Sequence, residues 1–294
     1  MCCYADDSTY TASGLDPNQL SQQISDKYRQ ISHYMKNNLL VLNSDKTHLM
    51  VLASPHKHRK HGDFSITLDT GNEIITPQDS GELLGITLSN NFRWNQHIRD
   101  GESSLMSILS KKNNALAKVA KIASFKTRLM IGNGLIMSTL TYAIQIYGAC
   151  SSYLIHMLQV QQNAAARHIT QLPWMTPTST LLKQCNWLSI RQMISYHSLV
   201  LLQKVVACGQ PKVIFRRMSP PERETRNSDN LTLQDSRSYR TATAEKTFIH
   251  RVISDWNALP LELRNSSSQE QFNSKLRLFI REKIFLNRGL VVTN

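Results

Sequence analysis

The residues of this chain best suited to chemistry are Tyr4-Ala5-Asp6-Asp7. Two short runs of strand character, Cys2 to Ala5 and Thr9 to Ala12, flank Asp6-Asp7-Ser8, whose side chains favour a turn, so the spacing predicts a hairpin. Neighbouring carboxylates at its tip would stand clear of the strand ladder. There they can coordinate a hard, oxygen-seeking cation such as Mg²⁺, which keeps waters and recruits substrate phosphates. The plainer alternative is a turn and nothing more. His56-Lys57-His58-Arg59-Lys60-His61 could bind a transition metal or serve as a basic localisation signal, although a solvated basic loop between strands explains it better. No Ser-His-Asp set, Walker-type glycine loop or G-x-G-x-x-G string occurs. The five cysteines, Cys2, Cys3, Cys150, Cys185 and Cys208, form no C-x-x-C pair and are odd in number, so neither a disulfide framework nor a zinc knuckle is indicated, and a reducing compartment is the simpler reading.

These residues need elements to hold them. Asp16-Pro17 opens a helix as N-cap and first helical residue, and Leu20, Ile24, Ile31 and Met35 give it an apolar stripe. Strands are expected at Leu39 to Leu42 and His48 to Ala53 around an Asn43-Ser44-Asp45 turn, and at Phe64 to Leu68, Glu73 to Thr76 and Leu83 to Leu88. After Trp94 the period becomes helical, with Leu105, Leu109, Leu116, Val119 and Ile122 on one long amphipathic segment. Further helices are expected over 126–147, 151–170, 178–185, 190–207, Ala242 to Leu259 and Gln269 to Leu286, with a polar, basic linker from Pro211 to Tyr239. The class is therefore α+β, a small antiparallel sheet with a helix followed by a mainly helical region. Its expected parts are 1–94, 95–210, a basic linker 211–241, and 242–294.

With 294 residues, a 41% hydrophobic fraction and only 19% charged residues, the chain can bury a core and is no disordered polyelectrolyte. Its 34 Lys and Arg exceed its 21 Asp and Glu by 13. That surplus favours polyanionic partners. The stretch from Leu129 to Ile155 carries no Asp, Glu, Lys, Arg or His and is long enough to span a bilayer. Gly132, Asn133, Gly134, Ser138, Thr139, Thr141 and Gln145 interrupt it, so a buried core segment is the better reading. No membrane partner is expected. The N-terminus has neither the basic region nor the apolar run of a signal peptide.

Three strings stand in order: Tyr4-Ala5-Asp6-Asp7, then Asn38-Leu39-Leu40-Val41-Leu42-Asn43-Ser44-Asp45-Lys46-Thr47-His48-Leu49-Met50, then Leu84-Gly85-Ile86-Thr87-Leu88 with Phe92-Arg93-Trp94 and His97-Ile98. Together they resemble the palm of reverse transcriptases, RNA-directed DNA polymerases, from non-LTR (LINE-like) retrotransposons, from the Tyr-Ala-Asp-Asp motif onward. Gln184-Cys185-Asn186-Trp187-Leu188-Ser189-Ile190-Arg191, and Trp256-Asn257-Ala258-Leu259-Pro260 with Leu263-Arg264, Phe272 and Lys275-Leu276, are similar to the family's thumb and C-terminal region.

The resemblance implies a partial palm followed by a helical thumb and C-terminal segment. Asp6 would be the main Mg²⁺ ligand and Asp7 its acidic neighbour, in a reaction where a primer 3′-hydroxyl attacks a nucleotide α-phosphate. Lys46 would protonate or neutralise the leaving pyrophosphate, or is simply a solvated turn lysine. Leu84 and Gly85 would support the primer strand, with a strand irregularity as the ordinary alternative for Gly85. Lys111, Lys112, Lys118, Lys121, Lys126 and Arg128 would follow the phosphates of a template–primer duplex, or form only the wet face of their helices. Trp174, Trp187 and Trp256 are expected to pack rather than stack on bases. The implied partners are an RNA template, a DNA primer or hybrid duplex, and deoxynucleotides. The implied setting is the nucleus or a cytoplasmic ribonucleoprotein. In the family another metal-binding aspartate lies on a strand before the hairpin, whereas only Met1, Cys2 and Cys3 precede Tyr4. The expectation is a truncated or domesticated remnant that does not polymerise by itself. A non-catalytic nucleic-acid-binding module and a helical interaction protein are the other readings.

Overall fold

A computed structural model describes residues 2–4, 7–40, 43, 46–52, 68–69, 74–219, 231–236, 247–282, 285–286 and 289–290. The described residues form two compact units, Met1–His97 and Ile98–Asn294, of α+β class.

The N-terminal unit begins with strands β1 (Cys2–Tyr4) and β2 (Asp7–Thr9), paired antiparallel with Tyr4 opposite Asp7. Helix α1 (Pro17–Asn37) follows, started by the Asp16 carboxylate, which accepts from the Asn18 N–H at 3.0 Å. Leu20 of α1 meets Leu49 and Leu68, with Ala12, Ile24, Tyr28, Val51 and Ile75 packed around them. Ser25, buried on α1, accepts from the Asp69 N–H at 3.0 Å and so ties the helix to β3 (Leu68–Asp69). The remaining ladders are β3 with β4 (Ile74–Ile75) and β5 (Ser80–Leu83) with β6 (Ile86–Ser89), and Leu49 makes a single parallel bridge to Pro77. Among the described residues, the small sheet expected from sequence is a set of two-stranded ladders. Of the strands expected there, Val41, Leu42, Ala53, 64–67 and Glu73 lie outside the described residues, and Leu39 sits in a turn with φ 59°.

The expected strand from Leu83 to Leu88 is instead a hairpin, because Leu84 (φ 50°) and Gly85 (φ 74°) turn the chain. Two consecutive left-handed residues make the tight turn whose twist matches paired strands. Gly85 adopts it freely; Leu84 does so at a cost of about 1–2 kcal/mol. Leu84→Asn is therefore expected to raise the thermal stability of the N-terminal unit and Gly85→Ala to lower it, by about 1 kcal/mol each. Equal melting temperatures for the two variants would refute this account of the turn.

The C-terminal unit is helical. After α2 (Asn95–Ile98), which spans the junction between the units, come α3 (Leu105–Ala120) and α4 (Phe125–Gly132), then a wide turn over Asn133–Met137. Helices α5 (Ser138–Thr141) and α6 (Ile144–Tyr147) lead to the long helices α7 (Ser152–Thr170) and α9 (Ile190–Cys208), with α8 (Thr178–Gln184) between them. The segment expected as one helix over 126–147 is broken where Ala143 takes φ 51°. Its apolar residues Ile136, Leu140, Ile144 and Tyr147 are buried among the helices, which explains the long uncharged run. No helix among the described residues is long and apolar enough to cross a membrane.

Within the stretch read as a linker, α10 (Lys212–Phe215) and a ladder of β7 (Met218–Ser219) with β8 (Gln234–Asp235) are ordered elements. Helices α11 (Phe248–Asn257), α12 (Leu261–Arg264) and α13 (Gln269–Glu282) follow. Helix α13 ends before Phe285–Leu286, expected to continue it; those residues pair instead as β9 with β10 (Gly289–Leu290).

Candidate nucleic-acid interface

Tyr4 and Asp7 are the last pair of the β1–β2 ladder, and Ala5 and Asp6 lie outside the described residues. Asp7 and Ser8, expected in the turn, are instead the first residues of β2. Asp7 belongs to the last pair of the ladder rather than standing beyond it. Its side chain and that of Tyr4 are exposed. Asp7 is thus the described member of the carboxylate pair expected to hold Mg²⁺, and its partner Asp6 is not among the described residues. Among the described residues no group of three or more His, Cys, Asp or Glu could hold a metal ion.

Lys46 is exposed on a single turn, where its N–H reaches the Asn43 carbonyl at 3.3 Å and the Thr47 hydroxyl donates to the same oxygen at 2.9 Å. Leu84 and Gly85 form the exposed tip of the β5–β6 hairpin. The segment 53–67, with the His56–His61 run, lies outside the described residues.

His97 holds the β5–β6 hairpin. It is buried, its Nδ1 accepts from the Thr87 N–H at 3.3 Å, and its ring meets Trp94 edge-on at 6.2 Å. Burial lowers its pKa from 6.5, partly opposed by the Glu82 carboxylate. A histidine held neutral in the fold contributes stability above the unfolded value, and that contribution is lost as pH falls through the lowered one. Protection of the Thr87 amide, corrected for intrinsic exchange, is therefore expected to drop as the pH is lowered progressively below about 6.5. Unchanged protection across that range would show that His97 does not secure the strand.

The cations of the helical unit divide by environment. Lys111 and Lys118 are exposed two turns apart on α3, roughly 10 Å along its axis. Lys121 caps the end of that helix, and Lys126 is exposed on α4. Lys112 is half-buried and donates to the Thr139 hydroxyl at 2.6 Å. Arg128, read from sequence with the phosphate-following residues, needs correction. It is buried, its Nε donates to the Ile169 carbonyl at 2.8 Å, and its Nη1 donates to the carbonyls of Ala123 at 2.9 Å and Ala120 at 3.4 Å. Its charge sits where the C-terminal ends of α3 and α7 present unpaired carbonyls and the negative ends of their dipoles. The Gln171 amide reinforces the joint, donating to the Ala120 carbonyl at 2.7 Å.

Trp187 and Trp256 pack, as expected: both are buried, with indole N–H groups donating to Asn133 Oδ1 at 2.8 Å and to the Leu231 carbonyl at 2.9 Å. Trp174 does not. It is 77% exposed in the turn after α7, with the Arg167 guanidinium 4.5 Å from its ring centre. Two further signals in the sequence bear on this region, beyond the motifs. From Ser103 to Pro221 there are thirteen Lys and Arg and no Asp or Glu, so the whole charge surplus of the chain resides there. In addition, Pro173-Trp174-Met175 follows a helix end with no apolar partner in period. Arg216 and Arg217 belong to the same stretch, but Arg217 pairs with Asp235 at 3.1 Å.

The later motif residues are structural. The Ser189 side chain and Gln192 form a capping box at the start of α9, and Gln162, fully buried on α7, donates to the Leu188 carbonyl at 2.8 Å. Trp256 lies against Phe272 at 5.9 Å, Asn257 and Leu233 exchange bonds of 3.0 and 2.8 Å, and Arg264 Nε donates to the Leu259 carbonyl at 3.1 Å. The need to satisfy this joint accounts for the aromatic, amide and arginine positions of the closing motif.

A curated protein of Drosophila melanogaster, described as a probable RNA-directed DNA polymerase from transposon X-element, is 28% identical to this chain over 128 residues. The match covers 43% of this chain and 14% of that protein. No family model matches, and no solved structure matches. The chain is related in sequence to a reverse transcriptase of a transposable element.

Proposed function

We propose that the chain is a C-terminal portion of a non-LTR retrotransposon reverse transcriptase, running from the Tyr-Ala-Asp-Asp hairpin through the thumb, and that its helical unit grips the template–primer. The likeness to the transposon polymerase carries this reading. The confinement of the positive surplus to Ser103–Pro221 supports it, because a region of one sign follows a phosphate backbone. In this reading Asp6 and Asp7 contribute to a Mg²⁺ site, where the bound metal would stabilise charge on the attacking and leaving oxygens of nucleotidyl transfer. Lys46 would protonate or neutralise the departing pyrophosphate, and Leu84-Gly85 would lie along the primer strand.

The test is equilibrium binding of the 294-residue chain to a labelled RNA–DNA hybrid between about 50 and about 200 mM salt. Log affinity should fall linearly with log salt, with little sequence preference. Absent binding at the low end, or binding indifferent to salt, would favour a helical interaction protein.

A further inference from the structure

We infer that the turn after α7 is a stacking site for an unpaired nucleic-acid base, with Trp174 as the platform and Arg167 as its cationic partner. The inference deepens the proposed function and rests on it. A large aromatic side chain left 77% exposed loses the benefit of burial, and Met175 beside it is 87% exposed. Trp174 is nonetheless held in place. Arg167 lies on one face of the indole at 4.5 Å, and the turn is anchored where Gln171, in the left-handed conformation (φ 56°), closes α7 and reaches the Ala120 carbonyl. On its far side, Asn163 Nδ2 donates to the Thr178 hydroxyl at 3.0 Å, fixing where α8 begins. The ring is therefore a positioned surface on a braced turn.

The charge around it selects the occupant. Arg167 lies inside the 119-residue stretch without a carboxylate, and its Nε is buried with no hydrogen-bond partner. The Arg128 and Gln171 bonds to Ala120 bring the end of α3, with Lys118 and Lys121, to the same end of the helical unit. An aromatic face flanked by uncompensated cations is the arrangement that takes a base on the ring and its phosphate on the guanidinium. A duplex hides its base faces in the stack, so the fitting partner is a single strand, such as template leaving or entering the hybrid.

The test uses the full chain, a single-stranded RNA oligonucleotide and an RNA–DNA hybrid duplex. Trp174→Ala should weaken single-strand binding roughly 5- to 150-fold, the range for loss of one base stack, while leaving duplex binding and melting temperature unchanged. The salt slope should not move, since no charge is removed; Trp174→Phe should restore part of the affinity. Arg167→Gln should reduce the slope by about 1. Single-strand affinity unchanged in Trp174→Ala, with salt-dependent duplex binding intact, would overturn the stacking site and leave the proposed function standing. Failure of the wild-type chain to bind either nucleic acid would overturn both. Equal losses on single strand and duplex would also overturn it, since the turn would then serve the helical unit as a whole.

Discussion

Replacing Lys111, Lys118, Lys121 and Lys126 together by glutamine should weaken binding to a hybrid duplex by roughly 100-fold or more at about 0.1 M salt. Each phosphate neutralised by a lysine releases about 0.9 of a condensed counterion, so removing four such lysines should flatten the log–log salt slope by about 3 to 4. The four are chosen because they are exposed and sit on α3, its C-terminal cap and α4. Lys112 is left out because its ammonium is engaged by Thr139, so its removal would mix a structural effect with a binding one. Glutamine removes the charge at nearly equal helix propensity, and the four side chains are exposed, so the fold should persist. Affinity and slope equal to wild type would remove the helical unit from the binding surface.

The second large effect is on stability. Arg128→Met keeps most of the side-chain volume but leaves the carbonyls of Ala120, Ala123 and Ile169 without their cationic donor. Hydrogen bonds to a charged group contribute about 1.5–3 kcal/mol, and a buried acceptor left bare costs about 1–3 kcal/mol. A loss on the order of 3 kcal/mol follows, or about 6–12 °C in the melting of a unit this size. Trp187 and Trp256, buried in the same unit, report that transition by fluorescence. Arg128→Lys should fall almost as far, because an ammonium cannot present the planar fork that reaches oxygens at the ends of α3 and α7 and in the turn after α3. A melting temperature within about 2 °C of wild type would remove Arg128 as the joint between α3 and α7.

Local signals in the sequence carried much of the helical unit. Apolar periods place α7, α8 and α9 within a residue or two of their expected bounds, with Ser151 and Ser189 capping α7 and α9 and Pro177 preceding α8. Asp16-Pro17 marks the start of α1 for the same reason: the cap acts on an amide two residues away and needs no tertiary contact. Elements that depend on distant partners were less legible. Leu83 to Leu88 alternates like one strand, and only the pairing of β5 with β6 makes Leu84-Gly85 its turn. Composition likewise cannot distinguish a strand continuing to Ala5 from a hairpin closed by Tyr4 and Asp7, since both use the same turn-favouring residues.

The charged and aromatic residues divide along the same line. By itself the sequence determined the relationship to transposon reverse transcriptases, the sign of the charge and the stretch that holds it. These are properties of residue identity and order, independent of packing. Only the tertiary structure decided which cations remain available. Arg128 and Lys121 are seven residues apart in one basic run, yet α7 approaches so that Ile169 offers its carbonyl to Arg128, while Lys121 remains exposed. The same approach leaves Trp174 beyond the end of α7 with no core to enter, while Trp187, thirteen residues later, is buried with its indole on Asn133. Burial depends on which helix ends meet. Those meetings join residues 41 to 54 positions apart here, beyond what any local pattern encodes.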